Sequence, residues 1–223
     1  MKVTVFNGSP AGPASATQVL AGAFLRGAKR AGAETETVFL SQRTIGYCQG
    51  CFACWFQAPG RCVQRDDMDQ LLKTYQSSDI VCFGTPVYTW NMTAMLKNFV
   101  DRLIPLKSLA VVQQSGSFDL DDAKPRSQRF VVLANSGFPG DHNFETLHEV
   151  FSSCHPALEI YRSCGKLLKS RQPQVLPLVE SYLKSVEDAG VQLVSHGAVS
   201  QEVLVALEKP LMTVPDYIQY LGM

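Results

Sequence analysis

The stretch DIVCFG, residues 79–84, indicates the fold more directly than any other part of this chain. Its residues are almost all apolar, and such runs are typical of strands that are buried on both faces of a parallel sheet. On both sides of it, strand-like segments alternate with segments of helical period. The strands are predicted at residues 2–6, 35–40, 79–84, 129–135 and 157–164. The helices are predicted at residues 18–30, 66–77, 92–104, 143–153 and 174–189.

This alternation predicts an α/β protein with a doubly wound parallel sheet. Such sheets hold a ligand beyond the carboxyl ends of the strands; one common form, the flavodoxin-like sheet, has five strands in the order 2-1-3-4-5, and we take it as the expected arrangement. Residues 106–128 are polar and turn-rich, and they predict a long excursion before the fourth strand. We divide the chain into a domain at residues 1–197, with a cysteine loop at 46–65 inserted after the second strand, and a helical C-terminal extension at 198–223. The apolar tail of this extension is expected to pack on its own domain or on a partner subunit, with the partner slightly favoured.

Composition excludes several classes of partner. The chain has 223 residues, of which 46% are hydrophobic, so it can bury a substantial core. Twenty basic and twenty acidic side chains give a formal net charge of zero, without a block of like charges, so neither nucleic acid nor an anionic membrane is an expected partner. No apolar run approaches the roughly 18 to 20 residues of a membrane span. Because the N-terminal residues enter a strand without the apolar core of a signal peptide, we expect a cytoplasmic location.

Four of the seven cysteines are crowded into one short run with the spacing C-x2-C-x2-C-x7-C. They are Cys48, Cys51, Cys54 and Cys62. Thiolates at steps of three on one loop can surround one small object, and Pro59 and Gly60 allow the chain to fold back and bring in the fourth. A four-thiolate iron–sulfur site has this shape. Zinc, which usually takes two well-separated pairs, and redox-active or metal-free thiols are the alternatives.

The remaining cysteines, Cys82, Cys154 and Cys164, lie in apolar or isolated settings. We expect each of them to be a small buried apolar residue. Structural disulfides would require an oxidising compartment, for which the N-terminal sequence offers no route.

The loop after the first strand, GSPAGPASAT at residues 8–17, is suited to an anion. It has neither the G-x-G-x-x-G of a dinucleotide fold nor the Gly-Lys-Ser/Thr ending of a P-loop. Ser9, Ser15 and Thr17 instead bring hydroxyls and backbone N–H groups to the start of a helix, where the helix dipole favours a phosphate monoester. The alternative is that Ser15 only caps the helix.

The loop after the third strand brings two aromatic side chains to the same edge of the sheet. This stretch comprises Thr85, Pro86, Val87, Tyr88, Thr89 and Trp90. A flat ring can lie there, and in a flavodoxin-like sheet the first and third strands flank the position where FMN binds. Together with the hydroxyl-rich loop, the aromatic residues favour a flavin.

Four stretches carry a resemblance to a known family: GSPAGPASAT, GRCVQRDDM, FGTPVYTWNMTAMLKNFVDRL and LANSGFPGDHNFETL. Over about residues 1–165 the chain resembles the NAD(P)H-dependent FMN reductase group of flavodoxin-like proteins, and within it the iron–sulfur flavoproteins. The resemblance implies that the FMN phosphate is held by Ser9, Ser15, Ala16 and Thr17. It implies that residues 86–90 line one side of the isoalloxazine, and that Ser136 and Gly137 flank its other side. It also implies that the four crowded cysteines carry a [4Fe–4S] cluster.

The implied function is that of an FMN-dependent oxidoreductase that passes electrons from NAD(P)H or a reduced carrier to a small-molecule or protein acceptor, with the cluster as relay. No catalytic side chain is predicted, because the flavin supplies the chemistry. One alternative is an NAD(P)H:flavin or quinone reductase whose cysteines are structural or metal-free, and another is an electron carrier or redox sensor. Apolar surface in TWNMTA and in the C-terminal tail predicts a homodimer or homotetramer.

Overall fold

The computed structural model describes residues 1–108, 121–122 and 127–222 of the chain. Its centre is a parallel sheet made from the five predicted strand segments. In chain order the strands are β1 (Lys2–Asn7), β2 (Glu34–Phe39), β3 (Ile80–Pro86), β4 (Lys107–Ser108), β5 (Asp121–Asp122), β6 (Arg129–Asn135) and β7 (Leu158–Arg162). The sheet order is β2-β1-β3-β6-β7, which confirms the predicted 2-1-3-4-5 arrangement. Every residue of β3 is buried, as its apolar run predicts for a central strand.

Helices cover both faces of the sheet. They are α1 (Ala16–Arg30), α2 (Ala53–Phe56), α3 (Met68–Ser77), α4 (Ala94–Asp101), α5 (Glu145–Ser152), α6 (Leu176–His196), α7 (Gln201–Glu208) and α8 (Val214–Tyr220). Short 3₁₀ helices lie at Gly12–Ala14, Leu40–Gln42, Ile104–Leu106, Asp141–Phe144 and Gly165–Lys169. One hydrophobic cluster joins α1 and α6 to the sheet, and a second joins α3, α4 and α5 to its other face. None of the helices in the described ranges combines the length and apolarity that crossing a membrane requires.

Helices α1 and α6 pack with their backbones in contact. A Cβ atom built on Gly27 would lie 1.8 Å from the carbonyl oxygen of Glu187, and one built on Gly190 would lie 2.2 Å from that of Phe24. Glycine is therefore required at both crossing points. The contact fixes α1 against the body of the domain, which matters because the candidate phosphate loop leads into the N-terminus of α1.

The predicted excursion at residues 106–128 lies largely outside the described residues. Within it, Lys107–Ser108 pairs antiparallel with Asp121–Asp122. The predicted C-terminal extension contains two helices, α7 and α8, and part of its apolar surface packs on its own domain: Leu207 and Tyr217 are buried in the same cluster as α1 and α6. Arg162 of β7 donates hydrogen bonds to the carbonyl oxygens of Leu207 and Lys209, and so holds the end of α7. The division of the chain at residue 197 stays a prediction.

Candidate functional site

Three loops meet at the carboxyl edge of the sheet. Asn7 pairs with Gly84, and Pro86 pairs with Asn135, so β1, β3 and β6 end side by side. One segment follows each of these strand ends. We name the three segments the phosphate loop (residues 8–17), the aromatic turn (residues 88–91) and the Ser136 loop (residues 136–140). The Thr93 hydroxyl donates to the Gly8 carbonyl at 2.7 Å, which joins the phosphate loop to the segment after the aromatic turn.

In the phosphate loop, the structure distinguishes the roles of the predicted hydroxyls. Ser15 caps α1: its Oγ accepts from the Gln18 amide at 3.0 Å and donates to the Gly12 carbonyl at 2.6 Å. The Thr17 hydroxyl donates to Asn135 Oδ1 at 2.8 Å and so ties α1 to the end of β6. Both side chains are buried and both have structural partners.

Ser9 and the first helical amides are differently placed. The Ser9 amide donates to Asn7 Oδ1 at 2.9 Å, but its hydroxyl forms no hydrogen bond within the described residues. The amides of Ala16 and Thr17, at the start of α1, likewise form none to other parts of the described chain. Unpaired donors at a helix N-terminus favour an anion. The arrangement therefore suits a phosphate group, with backbone N–H groups and the Ser9 hydroxyl as its donors.

The aromatic turn is strained. Thr89 and Trp90 have φ angles of 49° and 59°, in the left-handed region that β-branched and bulky residues rarely adopt. Tyr88 and Asn91 close the turn with two backbone hydrogen bonds, of 2.9 and 3.1 Å. The side chains of Tyr88 and Trp90 are 55% and 59% exposed. Such strain is concentrated at functional sites, and here it presents two aromatic rings at the edge of the sheet.

The other residues predicted to line the flavin ring differ in burial. Thr85 and Pro86 are buried and Val87 is half-buried. The Thr85 hydroxyl accepts from the Thr93 amide at 3.1 Å and donates to the Pro86 carbonyl at 2.8 Å, so it shapes the backbone of the loop. Val87 is the first residue of this stretch whose side chain is partly open.

The Ser136 loop is supported by the C-terminal extension. The hydroxyl of Tyr217, in α8, donates to the Gly137 carbonyl at 2.7 Å. Burial raises the pKa of Tyr217 to about 12. A Cβ atom built on Gly137 would meet nothing within 4 Å, so the space beside it is open. Sequence reasoning missed Tyr217, because nothing in the sequence indicates which loop a C-terminal tyrosine contacts.

The four crowded cysteines line one small cavity, of about 40 Å³. Cys48 and Cys51 are exposed, Cys62 is half-buried, and Cys54 is buried on the short helix α2. Burial raises the pKa of the Cys54 thiol, and the nearby cysteines add to this effect. Across the described ranges, no three His, Cys, Asp or Glu side chains converge as ligands of a single metal ion. In a four-iron cluster each thiolate binds a different iron, so its ligands lie around a volume and need not converge on one point.

The base of the cysteine loop is closed by a buried ion pair. Arg102, which follows α4, donates to Asp66 Oδ2 at 2.7 Å and to Asp66 Oδ1 at 3.1 Å. Burial raises the pKa of the Asp66 carboxyl, but hydrogen bonds from Arg102, Gly46 and Met68 outweigh this effect and lower it. Burial lowers the pKa of Arg102, but Asp66, and to a smaller extent Cys62, raise it above its ordinary value. The sequence alone predicts Asp66 only as a negative charge in the first turn of the helix at residues 66–77.

The three remaining cysteines do not behave alike. Cys82 and Cys164 are buried, as predicted, and burial raises the pKa of both thiols. Cys154 is exposed, so the prediction that it is a small buried residue is wrong. It lies in the turn after α5, where the chain leaves the second hydrophobic cluster.

Helix α4 connects the two halves of the site. Thr93 at its start bonds the phosphate loop, and Arg102 after its end bonds Gly46 at the base of the cysteine loop. At 1.5 Å of rise per residue these two anchors are about 13 Å apart along the helix. Asn98, between them, donates to the carbonyl of Ile45 at 2.8 Å.

Comparisons with known proteins agree with this geometry. The model of the NADPH-dependent FMN reductase family matches residues 1–125. An iron–sulfur flavoprotein of Archaeoglobus fulgidus is 43% identical over 105 residues, which are 47% of this chain and 46% of that protein. An iron–sulfur flavoprotein of Methanosarcina thermophila is 37% identical over 107 residues, 48% of this chain and 54% of that protein. The chain thus spans about half the length of these curated relatives, and the resemblance predicted from the motifs is confirmed.

Solved structures show the same fold at low sequence identity. An FMN-dependent NADH-azoreductase of Bacillus anthracis, in complex with FMN, has a TM-score of 0.62 at 15% identity, covering 87% of this chain and all of that one (100%). A protein from Klebsiella pneumoniae described as a "putative quinone reductase" has a TM-score of 0.64 at 17% identity, covering 86% of this chain and 85% of that one. At such identities the likeness concerns the fold alone.

Proposed function

The chain belongs to the NADPH-dependent FMN reductase family, and from that premise we propose that it is an FMN-dependent oxidoreductase with a [4Fe–4S] cluster as a second redox centre. NAD(P)H or a reduced carrier is the donor, and a small molecule or a protein is the acceptor. Bound FMN accepts electrons in pairs and releases them singly, whereas a cluster takes one at a time. The two centres together would convert a two-electron donor into a source of single electrons.

The phosphate loop supports the FMN part of the proposal. The Ser9 hydroxyl and the amides of Ala16 and Thr17 are donors without partners in the described chain, and they would bind the phosphate. The exposed rings of Tyr88 and Trp90 would lie against the isoalloxazine on one side, with the open space at Gly137 on the other. The B. anthracis azoreductase, which has this fold, is in complex with FMN.

The cysteine loop supports the cluster part. All four thiols line one cavity, whose other walls include the apolar side chains of Val63, Ile104 and Pro105. Four thiolates are the ligand set of a [4Fe–4S] cluster, and the exposure of the cluster to solvent is one of the features that tune its potential. The relatives with 43% and 37% identity are both iron–sulfur flavoproteins.

The observation that carries the proposal is that both halves of the site are anchored to α4. The phosphate loop is bonded to Thr93, the cysteine loop is bonded to Arg102, and Ile45, directly before that loop, is bonded to Asn98. A short helix that is buried along one face keeps the two loops at a fixed separation. Electron transfer between two centres requires such a constant, short separation.

The test is anaerobic purification with flavin, iron and sulfide analysis of the wild type, Cys51→Ala and Cys82→Ala. We expect the wild type to contain FMN and near-stoichiometric iron and sulfide. Cys51→Ala should lose most of the iron and retain FMN, because the phosphate loop is elsewhere in the fold. It should also retain reduction of the flavin by its donor and lose transfer to one-electron acceptors. Cys82→Ala, in β3, is the control: it should keep its iron and lose only about 1 kcal/mol of stability.

Equal iron in both variants, or one-electron transfer that survives the loss of iron, would contradict the relay. Zinc or no metal in the wild type would instead favour a flavin or quinone reductase with structural cysteines.

We also propose that the protein is a homodimer or homotetramer. Tyr88, Trp90 and Phe138 are exposed at the carboxyl edge of the sheet, and such apolar residues at an open site are typical of an interface that completes it. Sedimentation velocity of the wild type at micromolar concentration tests this assembly. A monomer there would rule it out.

A further inference from the structure

Arg102 is buried to a degree that is unusual for an arginine. Its side chain is 1% exposed and is among the largest fully buried side chains in the described chain. Its Nη1 donates to Asp66 Oδ2 at 2.7 Å and to the Gly46 carbonyl at 2.6 Å, while its Nε has no hydrogen-bond partner within the described residues. A buried guanidinium with an unpaired N–H is costly, so its retention calls for a physical reason.

One reason is mechanical. Asp66 accepts hydrogen bonds from the amides of Gly46 at 2.9 Å and Met68 at 3.0 Å in addition to those from Arg102. Arg102 thus joins residue 46, before the four cysteines, to residue 66, after them. The Gln64 side chain adds a bond to the Tyr47 carbonyl at 2.9 Å across the same gap. Together these contacts close the cysteine loop at its base.

Mechanical closure alone does not require a charge. A buried ion pair is often no more stabilising than a well-packed apolar pair of the same volume, because both ions lose their hydration. What distinguishes Arg102 from Asp66 is its position. Arg102 lines the cavity together with all four cysteines, whereas Asp66 does not line it. The positive member of the pair is therefore the one that faces the same cavity as the cysteines.

A positive charge in that position acts on whatever the thiolates bind. Four thiolates carry four negative charges, and a cluster becomes more negative by one charge when it accepts an electron. Arg102 itself is buried, so water screens its charge only weakly, and a fixed positive charge there stabilises the reduced form of the cluster more than the oxidised form. Net charge and hydrogen bonds to the sulfurs are among the factors that set cluster potentials.

We propose that Arg102 is the positioning residue of the cysteine site: it holds the loop closed and its charge raises the reduction potential of the cluster. The inference rests on the cluster of the proposed function. Its test therefore includes one measurement on metal-free protein, so that failure of the cluster and failure of Arg102 are distinguishable.

The first measurement is the midpoint potential of the reconstituted cluster, followed by its absorbance during an anaerobic titration with dithionite. Arg102→Gln should lower the potential enough to change the ratio of reduced to oxidised cluster about tenfold at a fixed potential, which for one electron is about 59 mV. Arg102→Lys, which keeps the charge, should restore most of this shift. The matched control is Arg65→Gln: Arg65 donates to the Cys62 carbonyl at 2.9 Å, but its side chain is 59% exposed, so water screens its charge.

The second measurement is hydrogen exchange of the Gly46 and Met68 amides in metal-free protein. Both amides donate to Asp66, so Arg102→Gln should speed their exchange at least tenfold, and Arg65→Gln should leave it unchanged. If Arg102→Gln does not fold, the double variant Asp66→Asn/Arg102→Gln is measured instead. It removes both charges of the ion pair and should still lower the potential of the cluster.

The outcomes separate the two ideas. Equal potentials in wild type, Arg102→Gln and Arg65→Gln would overturn the electrostatic role, and unchanged exchange would overturn the closure. Wild-type protein that takes up no iron would overturn the cluster and the electrostatic role together, while exchange still decides the closure.

Discussion

Replacement of Ser9 by alanine should weaken FMN binding without weakening the fold. The Ser9 hydroxyl forms no hydrogen bond within the described chain, and its position in the phosphate loop makes a phosphate its expected partner. A hydrogen bond to a charged group contributes about 1.5 to 3 kcal/mol. At about 1.4 kcal/mol for each factor of ten, the dissociation constant for FMN should rise roughly 10- to 150-fold.

The assay is titration of apoprotein with FMN and with riboflavin, followed by the quenching of flavin fluorescence. Riboflavin has no phosphate, so Ser9→Ala should leave its affinity unchanged. Urea denaturation of the apoprotein should give a free energy of unfolding within about 0.5 kcal/mol of the wild type. Ser15→Ala is the contrasting variant, because it removes the cap of α1 and should destabilise the apoprotein by about 0.5 to 2 kcal/mol.

Two results would refute this reasoning. If Ser9→Ala weakens FMN and riboflavin equally, the hydroxyl does not face the phosphate. If it leaves both affinities unchanged, the phosphate is bound elsewhere or by the backbone alone.

Three further predictions concern a tyrosine, a helix contact and an ion pair. Tyr217→Phe removes the hydrogen bond to the Ser136 loop, so the free energy of unfolding in urea should fall by about 0.5 to 1.5 kcal/mol and FMN should bind more weakly. Unchanged FMN affinity would show that this hydrogen bond does not support flavin binding. Gly27→Ala puts a Cβ atom 1.8 Å from a backbone oxygen of α6 and should lower the urea midpoint. In Gly22→Ala the new Cβ atom has its nearest neighbour at 3.7 Å, so this variant should stabilise α1 by about 0.5 to 1 kcal/mol. A higher midpoint in both variants would contradict the packing of α1 on α6. A hydrogen bond from Arg30 of α1 lowers the pKa of Glu187. The stability that this carboxylate contributes is therefore present above its unfolded pKa, about 4.3, and is lost as the pH falls through the lower folded pKa. Glu187→Gln should flatten the acid limb of a plot of urea midpoint against pH, and an unaltered limb would show that other carboxylates produce it.

The sheet could be predicted because its signal is local. Each strand is a run of apolar residues, and β3 in particular is buried along its whole length, as a central parallel strand must be. Boundaries were less accurate: the helix predicted at residues 92–104 is α4, Ala94–Asp101, because Thr93 caps it and a 3₁₀ turn follows.

The parts of the site that could not be predicted depend on contacts between distant segments. Asp66 and Arg102 are 36 residues apart, and the local reading of Asp66 as a helix-start charge gives no hint of its partner. The left-handed conformation of Thr89 and Trp90 has no sequence signal, since neither residue type favours it. Tyr217 belongs to an amphipathic tail, whose pattern is the same whether it packs on its own domain or on another subunit.

The bond between Tyr217 and Gly137 also has a consequence for the order in which the site forms during translation. The two residues are 80 positions apart. At a synthesis rate of about 5 to 20 residues per second, the ribosome makes the tyrosine about 4 to 16 s after the loop that it supports. The phosphate loop and its helix are made long before either. Helix α6, which fixes α1, and helix α8, which supports the Ser136 loop, are both made after these two loops, so we expect stable loading of FMN to follow the synthesis of α8.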